Sequence, residues 1–201
     1  MRRSVRAVAE PPAGLPLPGG SSPRTLDRIL VMGPTGAGKS TLAVALGRQL
    51  GADVVHLDQH YYLPGWKAQE AVAWRARQHE LVAGQRWVID GNYLSTADIR
   101  LAAASCVVVV DLPPLLCALR VLRRRVRYLG RSQPFMAAGC PERLDRNTLQ
   151  LLRYTMSYRS TMLPRVLAAI ARQDRDDLLL VHLRSTADVR FLLGTLQCSA
   201  A

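Results

Sequence analysis

The stretch Ile29-Leu30-Val31-Met32-Gly33-Pro34-Thr35-Gly36-Ala37-Gly38-Lys39-Ser40 decides the fold of this 201-residue chain. Its first four residues form a short apolar run typical of a β-strand. Its last eight fit the Walker A pattern of Gly, four free positions and Gly-Lys-Ser/Thr. Leucines then recur every four residues, as on one face of a helix, at Leu42, Leu46 and Leu50. The order of strand, glycine-rich loop and helix predicts a phosphate-binding loop.

The composition of this loop explains which ligand it would hold. Its glycines let backbone N–H groups turn inward around a phosphate chain, and the following helix adds the positive end of its dipole. Lys39 would reach the β- and γ-phosphates of ATP, and the hydroxyl of Ser40 would bind Mg²⁺. The predicted nucleotide site comprises Gly33, Pro34, Thr35, Gly36, Ala37, Gly38, Lys39, Ser40 and Thr41.

The composition suits one domain with a full hydrophobic core. Hydrophobic residues make up 49% of the chain, and no apolar stretch approaches the roughly 18 residues of a membrane span. Residues 1–24 are rich in Pro and Gly and are predicted to be a flexible leader before a single domain at 25–201. No secretion signal follows the basic start, so the cytoplasm is expected. Four scattered cysteines indicate neither a zinc site nor a disulfide framework.

The chain is strongly basic, with a formal net charge of +12. Residues 1–24 contain four arginines and one glutamate, so the predicted domain keeps a net charge of +9. Such a surface suits polyanionic ligands, which include both nucleotides and nucleic acids. Charge alone therefore leaves the class of ligand open.

Three further apolar runs each end in an acid. The first ends at Asp58 and leads into a loop containing Tyr61 and Trp66. Because ligands bind beyond the carboxyl ends of parallel strands, Asp58 is a candidate general base for an acceptor hydroxyl. The other two runs end at Asp90 and Asp111 and resemble Walker B segments, whose acid positions Mg²⁺. The residues alone do not decide between these two acids.

A long helix is predicted after Pro113-Pro114. Its apolar positions step by four, three, four and three residues and predict one buried face, at Leu115, Leu119, Leu122, Val126 and Leu129. A basic stripe beside them contains Arg120, Arg124, Arg127 and Arg131. Arginine stripes are commonly solvated, but this one is unbalanced by any acid and indicates an anion site. The segment 132–146 that follows is predicted to be a mobile lid, within a lid region of about 120–146.

The last third of the chain continues the alternation of helices and strands. A helical stretch is predicted to run to about Arg172 with a break at Pro164, followed by a strand from Leu178 to Leu183. The residues Ser185-Thr186-Ala187-Asp188 fit a capping box that opens the final helix. The whole pattern predicts an α/β fold with five strands alternating with helices.

Several segments together resemble a known family. They are GPTGAGKS, HLDQHYYLPGW, WVIDGNY, VVDLPPLLCALRVLRRRVRYLGR and GCPERLD, which cover roughly residues 27–195. In this order they resemble bacterial P-loop proteins called topology modulation protein or adenylate-kinase-like ATPase, within the nucleoside and nucleotide kinase-like group. The resemblance implies a three-layer P-loop NTPase fold, with a parallel sheet of order 2-3-1-4-5, helices on both faces and a small helical lid.

The resemblance also implies roles for individual residues. Asp90 becomes the metal-side acid, since its strand would neighbour the Walker A strand, and Arg120 and Arg124 would contact ATP from the lid. Arg184 and Ser185 would border the adenine. Where adenylate kinases have Asp-Gly-Phe-Pro-Arg, this chain has Asp90-Gly91-Asn92-Tyr93-Leu94, so the arginine that grips a monophosphate acceptor is missing. This departure favours an acceptor hydroxyl other than AMP.

Two hypotheses follow from different functional classes. The first is an ATP- and Mg²⁺-dependent kinase of a small-molecule acceptor, with catalytic roles for Lys39, Asp58, Arg120 and Arg124. Its acceptor site comprises Asp58, Tyr61, Trp66, Asp90, Gly91 and Tyr93, and its metal site Ser40 and Asp90. The second is a nucleic-acid-associated ATPase or regulator that binds a phosphate backbone through the arginine helix. No nucleic-acid-binding module is recognisable, which favours the kinase. The sequence does not indicate an oligomeric state.

Overall fold

The structure is a computed structural model that describes residues 26–198, so the predicted leader lies outside the described residues. The strands are β1 (Arg28–Met32), β2 (Asp53–His56), β3 (Tyr62–Leu63), β4 (Lys67–Ala68), β5 (Trp87–Asp90), β6 (Cys106–Val110) and β7 (Leu179–Leu183). The helices are α1 (Lys39–Leu50), α2 (Leu57–Tyr61), α3 (Ala71–Leu81), α4 (Ala97–Ala103), α5 (Pro114–Arg127), α6 (Arg146–Thr161), α7 (Leu163–Ala171) and α8 (Thr186–Cys198). Within this part of the chain, no helix is both long and apolar enough to cross a membrane.

Five strands form a parallel sheet in the order β2-β5-β1-β6-β7. The other two, β3 and β4, form a separate antiparallel hairpin that the sequence did not predict. Counted among themselves, the five strands of the main sheet run second, third, first, fourth and fifth. The strand that leads into the Walker A loop therefore lies at the centre, between the strands that end at Asp90 and near Asp111.

Alternate residues of the central strands supply two hydrophobic cores, because successive side chains of a strand point to opposite faces. Leu30 and Met32 belong to a core on the face covered by α2, α3, α4, α6 and α7. Ile29 and Val31 belong to a core on the other face, covered by α1, α5 and α8. The predicted α/β architecture, with helices on both faces of a parallel sheet, is confirmed.

The chain after the second strand differs from the prediction. The strand ends at His56, and Asp58 lies in the first turn of α2, where a strand ending in Asp58 and then a loop were expected. Leu57, next to it, is fully buried and anchors this short helix to the core. The apolar run is longer than the strand, since its last leucine, Leu57, is the first residue of α2.

The prediction for α5 is wrong about the face that is buried. Cys117, Val121 and Arg125 are buried, at intervals of four residues. The predicted core positions are instead exposed, at Leu115, Leu119, Leu122, Val126 and Leu129. The physical reason is that α5 packs against the Walker A loop and α6 through the side that carries Cys117 and Val121, so those residues are buried.

The later elements follow the prediction closely. The helical stretch is interrupted at Met162, and Pro164 lies in the first turn of α7, where its missing N–H costs no hydrogen bond. Ser185 and Asp188 form the expected reciprocal cap: the N–H of Asp188 donates to Oγ of Ser185 at 3.1 Å, and the N–H of Ser185 donates to Oδ2 of Asp188 at 3.0 Å. Tyr128 to Asp145, between α5 and α6, is largely irregular.

Candidate functional site

The Walker A loop joins the centre of the sheet to the start of α1. Gly38 caps α1 with φ 89°, a left-handed conformation that glycine adopts without strain, and no side chain caps this helix end. Gly36 lies against α5, where an added Cβ would come within 2.2 Å of the Cys117 carbonyl oxygen. The loop is therefore pressed against α5 on one side and leaves the N-terminal N–H groups of α1 free for an anion.

Lys39 lies within the loop and close to two acids. Its Nζ donates to the carbonyl oxygen of Pro34 at 3.0 Å. Burial lowers the pKa of Lys39, while the negative charges of Asp90 and Asp58 act in the opposite direction. The structure therefore brings the predicted phosphate-binding lysine together with two of the predicted acids.

The two acids are held in different ways. Asp90 ends β5, pairs in register with Val31 of β1, and lies 2.8 Å from Nδ1 of His56 through Oδ1. Asp58 accepts a hydrogen bond of 2.5 Å from the hydroxyl of Tyr93. Burial is the largest cause that raises the pKa of Tyr93, and the Asp58 charge adds to it, so this hydroxyl stays a donor at neutral pH. Each carboxylate is thus held in place by a neighbouring side chain.

Asp111, the other candidate metal-side acid, has different partners. Its Oδ1 accepts from Nε of Arg159 at 2.9 Å, and its Oδ2 lies 3.5 Å from Nε2 of His182. Although β6 also neighbours β1, Asp111 follows the end of β6 and is neutralised there by Arg159. The geometry therefore favours Asp90 over Asp111 as the acid that faces the Walker A loop.

A cavity of about 1040 Å³ opens in front of the loop. Of the residues predicted from the sequence, its lining includes Thr35, Gly36, Gly38, Lys39, Ser40, Thr41, Asp58, Trp66, Asp90, Gly91, Tyr93, Arg120 and Arg124. Tyr62 and Phe135 add aromatic surface. A smaller cavity of about 420 Å³ on the other side of the loop is lined by Ala37, Arg120 and residues of α8. The predicted nucleotide and acceptor residues thus largely line the large cavity, while Ala37 lines the smaller one.

Some predicted site residues lie elsewhere. Tyr61 packs in an aromatic cluster, with its ring 5.0 Å from that of Trp74 and 4.6 Å from that of Tyr93. Gly33 and Pro34, the first two residues of the loop, are buried and are not among the described residues that line the two cavities. Arg184 is exposed and is absent from the described residues that line the two cavities; its N–H donates to Asp188 at 2.7 Å. Ser185 likewise serves the cap of α8.

The arginines of α5 divide into separate groups. Arg120 and Arg124 line the large cavity, and Nε of Arg124 is buried with no hydrogen-bond partner among the described residues. Burial lowers the pKa of Arg124, which the charges of Glu142 and Asp58 counteract. Arg125 is buried and pairs with Glu142, with Nε 3.4 Å from Oε2. Of the predicted stripe, Arg120 and Arg124 line the large cavity, whereas Arg127 and Arg131 are exposed and are not among the described residues that line either cavity, so the stripe is not one surface.

Two residues that hold the site were missed by the sequence analysis. The side chain of Asn92 clasps Gly33, accepting from its N–H at 3.0 Å and donating to its carbonyl oxygen at 2.8 Å. Arg100 is fully buried, and its Nη2 donates to the carbonyl oxygens of Asn92 at 2.8 Å and Tyr93 at 3.1 Å. The Asp-Gly-Asn-Tyr segment could have indicated Asn92, but no sequence signal distinguishes Arg100 from a surface arginine.

The β3–β4 hairpin is attached to the irregular segment across the cavity. The N–H of Gly65 donates to the carbonyl oxygen of Gly139 at 2.8 Å, and Nε1 of Trp66 donates to that of Pro141 at 2.9 Å. The thiol of Cys140 lies 3.3 Å from the carbonyl oxygen of Leu63. These contacts form a latch between the two sides of the cavity, here called the hairpin latch.

Comparisons with known proteins support the fold. No family model matches the chain. The shikimate kinase of Acinetobacter baumannii, solved in complex with shikimate, is 21% identical with a TM-score of 0.54 and covers 88% of this chain and 94% of its own. The shikimate kinase of Bacteroides thetaiotaomicron is 18% identical with a TM-score of 0.53, over 86% of this chain and 97% of its own. Likeness at these identities shows the P-loop kinase fold.

A human tRNA dimethylallyltransferase is 46% identical over 55 residues. The match covers 27% of this chain and only 11% of that protein, so it concerns a short segment of the relative. Together these findings support a P-loop kinase fold and do not confirm the topology modulation family.

Proposed function

We propose that this protein is an ATP-dependent kinase that transfers the γ-phosphoryl group to a hydroxyl of a small molecule. The observation that carries the proposal is the convergence of Lys39, Asp58 and Asp90 in one cavity in front of the Walker A loop. A lysine and a free helix N-terminus on one side suit phosphates, and a carboxylate on the other side suits a hydroxyl. Residues from about 25 onward would form one kinase-like domain.

The nucleotide side of this proposal rests on the loop and the two cavities. The N–H groups of the loop and Lys39 would bind the phosphates, and the smaller cavity beside Ala37 and Arg120 suits the nucleotide base. In the wall of the large cavity, the buried Nε of Arg124 has no hydrogen-bond partner within residues 26–198, as expected of a donor whose partner is an anion. Arg120 and Arg124 would thus counter the charge of the transferring group from a lid spanning about 120–146.

The metal side rests on oxygen donors. The hydroxyl of Ser40 and the carboxylate of Asp90 both line the cavity, and oxygen ligands with room for water and phosphates suit Mg²⁺. His56 would hold the orientation of Asp90 through the contact at 2.8 Å. When bound, the ion would neutralise charge on the β- and γ-phosphate oxygens.

The acceptor side rests on Asp58. In the proposed step the acceptor oxygen forms a bond to the γ-phosphorus, the bond from that phosphorus to the bridging oxygen of ADP breaks, and Asp58 takes the hydroxyl proton. Tyr93 orients Asp58 through its hydrogen bond, and Tyr62, Trp66 and Phe135 would enclose the body of the acceptor. The nucleic-acid alternative is less favoured, because Arg120, Arg124 and Arg125 turn toward the cavity or the interior.

The test is Asp58→Asn assayed against a panel of hydroxyl acceptors, following ADP release and phosphorylated product. We expect MgATP affinity to be retained and acceptor-dependent turnover to fall by about 10²- to 10⁴-fold, the range typical of a lost general base. Asp53→Asn, at the exposed start of β2, is the matched control and should be unchanged. Unaltered turnover in Asp58→Asn, or ATP hydrolysis with no phosphorylated product across the panel, would reject the proposal.

A further inference from the structure

The outward face of α5 carries an apolar stripe that the described residues leave exposed. Its side chains are between 42% and 63% exposed, at Leu115, Leu119, Leu122 and Val126. The opposite face, with Cys117 and Val121, is fully buried and fixes the orientation of the helix. Exposed apolar side chains in a continuous row mark an interaction surface more often than scattered ones do. This set of four residues is called the α5 seam below.

The spacing of the α5 seam indicates the shape of what covers it. Within the helix these positions step by four, three and four residues, the alternation of the a/d repeat of a helix that pairs with another helix. A helix lying in a lipid surface presents a wider apolar face than this narrow row. Here exposed arginines flank the row directly, with Arg123 beside Leu122 and Arg127 beside Val126. The narrow width therefore favours a partner helix over a membrane.

The charges beside the α5 seam indicate the chemistry of that helix. The sequence of α5 contains five arginines and no acid. A second copy of this chain would bring arginines against arginines along a paired helix, which is unfavourable at the positions flanking a seam. Asp or Glu residues at the flanking positions of a partner would instead pair with the exposed Arg123 and Arg127 beside the seam.

We propose that the outward face of α5 is the docking site for an amphipathic helix of another protein, with apolar residues at heptad a and d positions and acidic residues beside them. This proposal is independent of the proposed kinase function, since no residue of the α5 seam is among the described residues that line the two cavities. Docking would bury the apolar row and neutralise the flanking arginines at the same time.

The experiment uses two synthetic helical peptides about three heptads long, with the same leucine seam but with either Glu or Lys at the flanking positions. Binding to the full chain is measured by fluorescence anisotropy at two salt concentrations. We expect the Glu peptide to bind at least ~10-fold more tightly than the Lys peptide, with affinity that falls as salt rises.

Two seam variants and one matched control complete the experiment. Leu119→Asn and Val126→Asn should each weaken binding of the Glu peptide by ~10-fold or more, since each removes an apolar side chain from the contact. Val72→Asn, at an exposed apolar position 74% accessible on α3, is the control and should bind like the unmodified chain. Thermal unfolding verifies that all three variants fold.

Four results would overturn the proposal. They are failure of the Glu peptide to bind, equal binding of the two peptides, Glu-peptide binding that the seam variants leave unchanged, and a different occupant of the α5 seam. Sedimentation that shows a dimer abolished by Leu119→Asn would identify a second copy as that occupant. Flotation with vesicles of anionic phospholipid, abolished by the same variant, would identify a lipid surface.

Discussion

Replacement of Arg100 by Met tests how the segment between β5 and α4 is held in place. Nη2 of Arg100 donates to the carbonyl oxygens of Asn92 and Tyr93, and Nη1 donates to Gln78 and to Oγ1 of Thr96, the latter at 3.1 Å. Burial lowers the pKa of Arg100 to about 10, so the group remains charged at neutral pH. Methionine keeps much of the side-chain length but supplies no donor.

The expected cost follows from the acceptors left behind. Leaving a buried acceptor without a donor costs about 1–3 kcal/mol, so the two carbonyl groups of Asn92 and Tyr93 alone predict a loss of about 2–6 kcal/mol. Tyr93 has φ 31°, an unfavourable conformation for a residue with a side chain, and the loss of Arg100 removes one of the contacts that maintain it. We therefore expect both lower stability and weaker MgATP binding, because Asn92 no longer holds Gly33 firmly.

The assay is urea unfolding followed by tryptophan fluorescence, together with titration of MgATP. Arg75→Met is the matched control. Arg75 lies on α3 and forms an exposed ion pair with Asp98, which is on α4 like Arg100, and such exposed pairs contribute little to stability. Arg100→Lys should recover part of the loss by restoring a charge and a donor. A change of less than about 1 kcal/mol in Arg100→Met, with an unaltered midpoint in the control, would refute the argument from buried acceptors.

Three further predictions concern the loop, the cavity wall and the cap of α8. Lys39→Ala should weaken MgATP binding by roughly 10- to 100-fold without unfolding the protein, the effect of one charge-assisted contact, as measured by calorimetry; equal affinity would exclude a contact with the phosphates. Arg124→Ala should lower turnover more than ATP affinity, whereas Arg127→Ala, exposed on the same helix, should leave both unchanged in steady-state assays. The Ser185 hydroxyl and the backbone N–H groups of Arg184 and Ser185 lower the pKa of Asp188, so its stabilising effect is present above the ordinary carboxyl pKa and is lost as pH falls through the lower folded value. Asp188→Asn should reduce this acid-dependent part of the unfolding free energy, and an unchanged pH profile in urea titrations would contradict it.

The strand, loop and helix around the Walker A motif could be predicted from sequence because local patterns determine them. The apolar run before Gly33 and the leucines after Lys39 each fix an element without reference to distant residues. The alternating core faces of the sheet follow from the same local rule. That Asp58 and Asp90 would lie near each other could be predicted from one general rule, since ligands bind beyond the carboxyl ends of parallel strands.

The orientation of α5 could not be predicted in this way. Its apolar positions have the spacing of a core-facing helix, but Cys117 and Val121 also repeat at helical spacing and are the residues that meet the Walker A loop. Burial of Arg125 depends on Glu142, which is distant in sequence. Polar residues such as Asn92 and Arg100 are equally hard to identify, because their partners are backbone groups that carry no sequence signal.

The hairpin latch has a consequence for the kinetic order of the proposed reaction. Trp66 and Gly65 on the acceptor side are bonded to Pro141 and Gly139 of the segment that continues from the arginine-bearing helix. A displacement of that segment would therefore carry the hairpin with it or break these hydrogen bonds. Occupancy of the nucleotide half and of the acceptor half would then be thermodynamically linked, so each substrate should lower the dissociation constant of the other. Double-reciprocal plots of rate against ATP concentration, at several fixed acceptor concentrations, should accordingly give intersecting lines, as in a sequential mechanism. Trp66→Phe should reduce the effect of each substrate on the dissociation constant of the other.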